Sequence, residues 1–199
     1  MYMQDTTNLR PPAMVADIAS AADTIGFTIS SDTLTGSLLR TLAASKPSGM
    51  LLELGTGVGM GTAWLLDGMD AASKLITVDR NAETTAVAKR FFGHDTRVTF
   101  QFADGAAFIQ SSREQGHSFD LIFADMIPCK FSLLDETLSL LKKGGLYIVD
   151  DLLPSSSWPQ EHQEHQSNVD HLIASLESRP DLRITKLNWS VGLIIAAKV

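Results

Sequence analysis

With one cysteine, Cys129, the 199-residue chain has no intrachain disulfide open to it. It is also short of positive charge: 16 lysines and arginines stand against 23 aspartates and glutamates, a formal net charge of −7. No basic stripe is present to neutralise a phosphate backbone, which argues against nucleic acid as substrate. No apolar run approaches the roughly 20 residues that cross a bilayer, so no membrane partner is expected. Repeats and low-complexity tracts are missing too. The start MYMQDTTNLR lacks the charged-then-apolar layout of a secretory signal, and a cytoplasmic location is the resulting expectation. What remains is 44% hydrophobic and 20% charged residues over the length of one domain, enough to bury a core without staples.

The order of apolar patterns predicts an α/β fold. After Pro11 and Pro12, AMVADIASAADTIG has helical spacing and stops at Gly26, and Asp32 is placed to cap a second helix running to about Ser45. These helices form an N-terminal segment, 1–48, ahead of an α/β core, 49–199, within a single domain. In the core, strand-like runs at 50–54, 74–79, 97–103, 119–124 and 145–150 alternate with helical stretches at Met60–Gly68, Ala82–Phe92, Gly105–Gln115 and Phe131–Lys142. Gly68, Gly93 and Gly144 are read as helix stops. Such alternation means a parallel sheet covered on both faces. A helix over Glu161–Ser178 is followed by strands at 182–189 and 191–199 joined by almost nothing, which permits only an antiparallel hairpin. The expectation is a doubly wound, mostly parallel seven-stranded sheet ending in that hairpin.

In a parallel sheet the strand C-termini share one edge, where ligands bind. Here the edge is acidic: Glu53, Asp79, Asp104, Asp125, and Asp150 with Asp151. Each is also a candidate helix N-cap, because aspartate is favoured there. Between the first strand and its helix, LLELGTGVGMG carries Gly55, Gly57, Gly59 and Gly61. A triphosphate loop needs a lysine that is missing before Thr62, and a dinucleotide loop needs G-x-G-x-x-G, which fails in both registers, at Met60 and at Thr62. A ligand without phosphates and with hydroxyls, amines or positive charge fits the edge better.

The stretch E-x-G-x-G-x-G at Glu53–Gly59 resembles the first motif of class I S-adenosylmethionine (SAM) dependent methyltransferases, and the order of elements resembles that Rossmann-like family over nearly the whole chain. The resemblance implies that Gly55, Thr56, Gly57 and Gly59 wrap the methionine part of SAM, with Glu53 reaching it directly or through water. It further implies that Asp79 holds the ribose hydroxyls, with Arg80 beside it, and that Asp104 and Gly105 lie by adenine.

FDLIFADMIPCKF and GGLYIVDDLL resemble the cation-dependent O-methyltransferases of catechol and caffeoyl-CoA type. That resemblance implies a divalent cation, Mg, Mn or Ca, on Asp125, Asp150 and Asp151. It also implies a small-molecule acceptor whose hydroxyl oxygen is methylated, an aromatic diol being the type; a homodimer is compatible with it. Asp125 would serve the cofactor, the metal and the reacting oxygen alike. Three positions depart from the pattern: Asp151 replaces an asparagine, Pro128 a lysine and Phe131 a tyrosine. Lys130 is the candidate general base, its pKa lowered by a bound dication, against the plainer reading of an exposed lysine. Met126, Phe131 and Trp158 are candidates to flank a planar acceptor. His162 and His165 beside Glu161 and Glu164 suggest zinc less than a solvated helix face. Other readings stay open: a metal-free SAM enzyme with Asp125 directly on the acceptor, a nicotinamide oxidoreductase, which the glycine registers disfavour, and a SAM-binding protein without catalysis.

Overall fold

Helices α1 (Val15–Thr24) and α2 (Thr33–Ala44) precede the sheet, each bounded by the residue that the sequence marks. Gly26 takes a left-handed φ of 67° just past α1, and Asp32 caps α2 by accepting the Leu34 and Thr35 amides at 2.7 and 3.1 Å. The computed structural model describes residues 4–153 and 162–199. The chain then alternates through β1 (Met50–Leu54), α3 (Met60–Gly68), β2 (Lys74–Asp79), α4 (Ala82–Phe92), β3 (Val98–Phe102), α5 (Gly105–Glu114) and β4 (Phe119–Ala124). Two short helices, α6 (Ile127–Lys130) and α7 (Leu134–Ser139), lead to β5 (Leu141–Val149), and α8 (His162–Glu177) precedes β6 (Leu182–Leu187) and β7 (Leu193–Lys198).

The seven strands form one sheet in the order β3-β2-β1-β4-β5-β7-β6. Strands β1 to β5 pair in parallel, while β7 lies antiparallel between β5 and β6. This is the expected doubly wound sheet with its terminal hairpin. Chain order runs outward in opposite directions from β1 and β4. The connections leaving these two strands therefore diverge and open a crevice at their C-terminal ends.

Alternation along the strands divides the core between the two faces. Leu52, Leu54, Ile122, Tyr147 and Val149 pack on one face under Val169, Leu172 and Leu176 of α8. Leu51, Leu121, Phe123 and Ile148 pack on the other against Ile18, Leu39, Trp64 and Leu65 of α1, α2 and α3. Trp64 is wholly buried, with the Arg40 guanidinium 5.0 Å from its ring centroid. A Cβ placed on Gly36 of α2 would overlap the Trp64 indole. Gly36→Ala should accordingly cost about 1–3 kcal/mol through overpacking, read as a lower urea midpoint with unchanged slope; a midpoint equal to the parent's would show that α2 and α3 separate freely.

The expected helix over Phe131–Lys142 forms only over Leu134–Ser139. Leu133 leaves helical geometry at φ −125°, ψ 32°, and the Leu140 carbonyl accepts the Phe119 amide at 2.8 Å. Pairing with β4 thus draws 141–145 into β5, overriding the local helical spacing. Gly144, expected as a helix stop, sits inside that strand with φ 76°. No helix among the described residues is long and apolar enough to cross a membrane.

Candidate active site at the junction of β1 and β4

The glycine loop is built against the end of β4. Gly55 has φ 112°, a conformation few L side chains adopt, and a Cβ there would overlap the Asp125 carbonyl oxygen. The Asp125 amide in turn donates to the Leu54 carbonyl at 2.8 Å, while the Gly55 and Thr56 amides donate to the Val78 carbonyl at 2.9 and 3.3 Å. Backbone of the loop is thereby held between its two neighbouring strands. Gly57 lies under the Phe27 ring, which the α1–α2 connection brings over the loop.

Asp79 ends β2 facing this loop. Its Oδ2 accepts the Gly57 amide and its Oδ1 the Asn81 amide, both at 2.8 Å. Asn81, not Asp79, caps α4, accepting the Glu83 and Thr84 amides. Each Asp79 oxygen retains capacity for a further donor such as a ribose hydroxyl. Asp104 does fill the capping role, its Oδ1 accepting the Ala106 and Ala107 amides at 3.0 and 3.3 Å. Its other oxygen lies 3.8 Å from Arg80, an exposed pair worth little in stability. Gly105 is buried against Met126, since a Cβ there would overlap the Met126 sulfur. Met126 therefore belongs to the β3–α5 side of the crevice.

Glu53 is fully buried in the layer between the sheet and α3, so direct reach to a ligand is closed to it. Its Oε2 accepts the Thr62 and Thr77 hydroxyls at 2.5 and 2.6 Å, and Thr56 donates to Thr77 at 2.6 Å. Its Oε1 has no partner among the described residues. Burial pushes the carboxyl up to about 7, against the lowering effect of the two threonines.

At the ends of β4 and β5 the structure brings Asp125, Asp150 and Lys130 together. The Lys130 ammonium donates to Asp125 Oδ1 at 3.3 Å, Asp150 Oδ1 at 3.1 Å and the Asp150 carbonyl at 3.1 Å. Burial alone would lower the lysine pKa, but Asp150 and Asp125 outweigh it and hold the value above that of an ordinary lysine. The lysine is buried, where the alternative had it exposed. Burial, followed by repulsion from Asp150, raises the Asp125 carboxyl well above the usual range in spite of Lys130. The Asp125 side chain keeps 27% of its surface exposed, and the Ser31 hydroxyl reaches its Oδ2 at 3.5 Å.

Asp151 turns the chain with φ 61°, and its carbonyl meets His165 Nε2 at 3.1 Å. The expected metal trio does not assemble: among the described residues no group of three His, Cys, Asp or Glu is placed to hold a metal ion. Phe131 packs edge-on against His165, with ring centroids 5.8 Å apart. Trp158 and Glu161 lie outside the described residues, as do the side chains of His162 and Glu164. Cys129 is buried, its thiol pushed up to about 12 by burial, as suits a bystander.

Phe27, Ser31, Thr62 and Thr77 escaped the sequence reading. The signal for Thr77 was a polar residue inside the otherwise apolar strand LITV; Phe27 and Ser31 lie in the run between the Gly26 stop and the Asp32 cap.

Residues 22–199 match the family described as O-methyltransferase. An O-methyltransferase-family protein of Mycolicibacterium smegmatis is 32% identical over 144 residues, 69% of this chain and 66% of that protein. Across the first curated relatives the match spans between 52% and 66% of their length. Among solved structures, the O-methyltransferase TomG of Streptomyces achromogenes, in complex with SAM, has a TM-score of 0.83 at 18% identity, covering 98% of this chain and 93% of TomG. The O-methyltransferase of Bacillus cereus, in complex with SAH, has a TM-score of 0.82 at 16% identity, covering 97% and 94%. Fold agrees with sequence over almost the entire length, and the chain belongs to the O-methyltransferase family.

Proposed function

We propose that this chain transfers the methyl group of SAM to a hydroxyl oxygen of a small-molecule acceptor. The observation that carries the reading is the glycine loop held between Val78 and Asp125, with the Asp79 carboxylate fixed by the Gly57 amide. Gly55, Thr56, Gly57 and Gly59 offer backbone to the methionine part. Asp79 accepts the ribose hydroxyls, and Arg80, Asp104 and Gly105 border adenine. Support also comes from the SAM and SAH complexes of TomG and the Bacillus cereus protein.

Asp125, whose backbone packs against the glycine loop at Gly55, is the carboxylate that would meet the acceptor. The acceptor oxygen attacks the methyl carbon, the S–CH3 bond breaks with its electron pair going to sulfur, and the acceptor proton passes to the Asp125 carboxylate. Lys130 is unsuited to take that proton, because two carboxylates hold it as the ammonium. A carboxylate with a raised pKa is better matched to the task. Of the readings open in the sequence, this supports the one that places the acceptor directly on Asp125.

Calorimetry with SAH and with NAD, joined to transfer of label from methyl-labelled SAM over a panel of hydroxyl compounds, tests the reading. SAH should bind and NAD should not; binding of NAD alone would overturn it. Asp79→Ala should weaken SAH by about 1.5–3 kcal/mol, the range for one charge-assisted hydrogen bond, or roughly ten- to a hundredfold. Unaltered SAH affinity in that variant would remove Asp79 from the site.

A further inference from the structure

We propose that the Lys130 ammonium takes the place of a divalent cation between β4 and β5, so that methyl transfer is metal-independent and selects a single hydroxyl instead of a chelating pair of oxygens. The proposal rests on the methyl-transfer reading above and concerns its acceptor end.

A dication bridging these strands would need oxygens of Asp125 and Asp150 at about 2.0–2.6 Å. Those oxygens already converge on Lys130 Nζ, at 3.3 and 3.1 Å, and the side chains of Lys130 and Asp150 are only 6% and 4% exposed. Ammonium and dication cannot share the space, and their charges repel. The lysine is also delivered rigidly. Tyr147 of β5 donates its hydroxyl to the Cys129 carbonyl at 3.2 Å, and the Cys129 thiol donates to the Met126 carbonyl at 2.9 Å. Helix α6 is thus fastened to the strand that carries Asp150, and Lys130 is the last residue of that helix.

The consequence for the acceptor follows from donor count. A metal ion can offer vacant positions to two adjacent substrate oxygens, whereas an ammonium has three N–H groups. All three have oxygen partners here: Asp125 Oδ1, Asp150 Oδ1 and the Asp150 carbonyl. None is left to hold a second substrate oxygen. What remains open at this end is Asp125 Oδ2, beside the Ser31 hydroxyl, which suits one donating O–H.

The test is Mn²⁺ binding to metal-stripped protein, read by electron paramagnetic resonance. The parent should bind Mn²⁺ only weakly here, well below stoichiometry. Lys130→Met should gain affinity by ~10–100-fold, the range over which the groups supporting a metal site alter its binding. Asp150→Asn on that background should abolish the gain. Stoichiometric Mn²⁺ binding by the parent, lost in Asp150→Asn, would overturn the proposal. So would a Lys130→Met protein that retains its circular dichroism and SAH binding yet gains no Mn²⁺. If that variant does not fold, the parent titration decides, together with the rates of monohydroxyl and vicinal-diol methylation in chelator. Rates that collapse in chelator contradict the proposal, and rates that persist support it. SAH binding and label transfer report separately on the underlying methyltransferase reading, because the Mn²⁺ signal needs neither cofactor nor acceptor.

Discussion

Asp125→Asn should lower the turnover of methyl transfer by about 10²–10⁴-fold, the usual contribution of a positioned proton acceptor. The substitution keeps the shape of the side chain and removes its ability to take a proton. SAH affinity should change little, because the glycine loop meets the Asp125 backbone: its carbonyl lies against Gly55 and its amide bonds to Leu54. Burial and Asp150 raise the Asp125 carboxyl, so parent turnover should climb as pH rises through that raised pKa and level off above it. The variant should lose this limb. Turnover at saturating SAM and acceptor, measured against pH, checks both points. A variant within tenfold of the parent, with the same profile, would place the proton elsewhere.

Glu53→Gln should change how stability depends on pH. Burial raises the Glu53 carboxyl from 4.5 to about 7, so the folded state binds a proton that the unfolded state releases. The stabilising contribution is fully present below about 4.5 and is lost as pH rises through about 7. At about 1.4 kcal/mol per pKa unit, the loss amounts to about 3 kcal/mol. Glutamine stays neutral and can accept the Thr62 and Thr77 hydroxyls through its carbonyl oxygen. Asp125 is raised as well and contributes in the same direction, which makes the parent-minus-variant difference the useful quantity. Asp95, held low by its hydrogen bond from Arg97, acts in a more acidic range. Urea unfolding from pH 5 to 8 should show the parent losing about 3 kcal/mol relative to the variant. Parallel curves would mean that the carboxylate is stabilised at Glu53 by something other than the two threonines.

Periodicity and turn chemistry make the sheet legible in the sequence. β1 and β2 fall on their expected spans, and strand-like runs at 182–189 and 191–199 with almost nothing between them allowed nothing but a hairpin, observed with a 188–192 connection. In 131–142 only Leu134–Ser139 is helical, because pairing between Phe119 and Leu141 draws the end of the segment into β5. The acidic edge was visible as a set of strand ends, but the part each residue plays was not. Asp104 caps a helix, Asn81 and not Asp79 caps α4, and Glu53 turns inward toward Thr62 and Thr77. Lys130 lies two residues beyond Pro128, the position where the resemblance expects a lysine. Its second partner, Asp150, is 20 residues away, and only the parallel pairing of β4 with β5 brings the two strand ends together. Sequence spacing carries no information on which of two buried carboxylates an intervening cation will join.

The most direct test is transfer of label from methyl-labelled SAM to phenols, catechols, hydroxycinnamoyl thioesters and flavonoids, with chelator and with added Mg²⁺. The expected result is label on oxygen of monohydroxyl acceptors at rates that chelator does not change. Transfer confined to vicinal diols, lost in chelator and restored by Mg²⁺, would contradict the role given to Lys130 and return the site to Asp125, Asp150 and a bound cation.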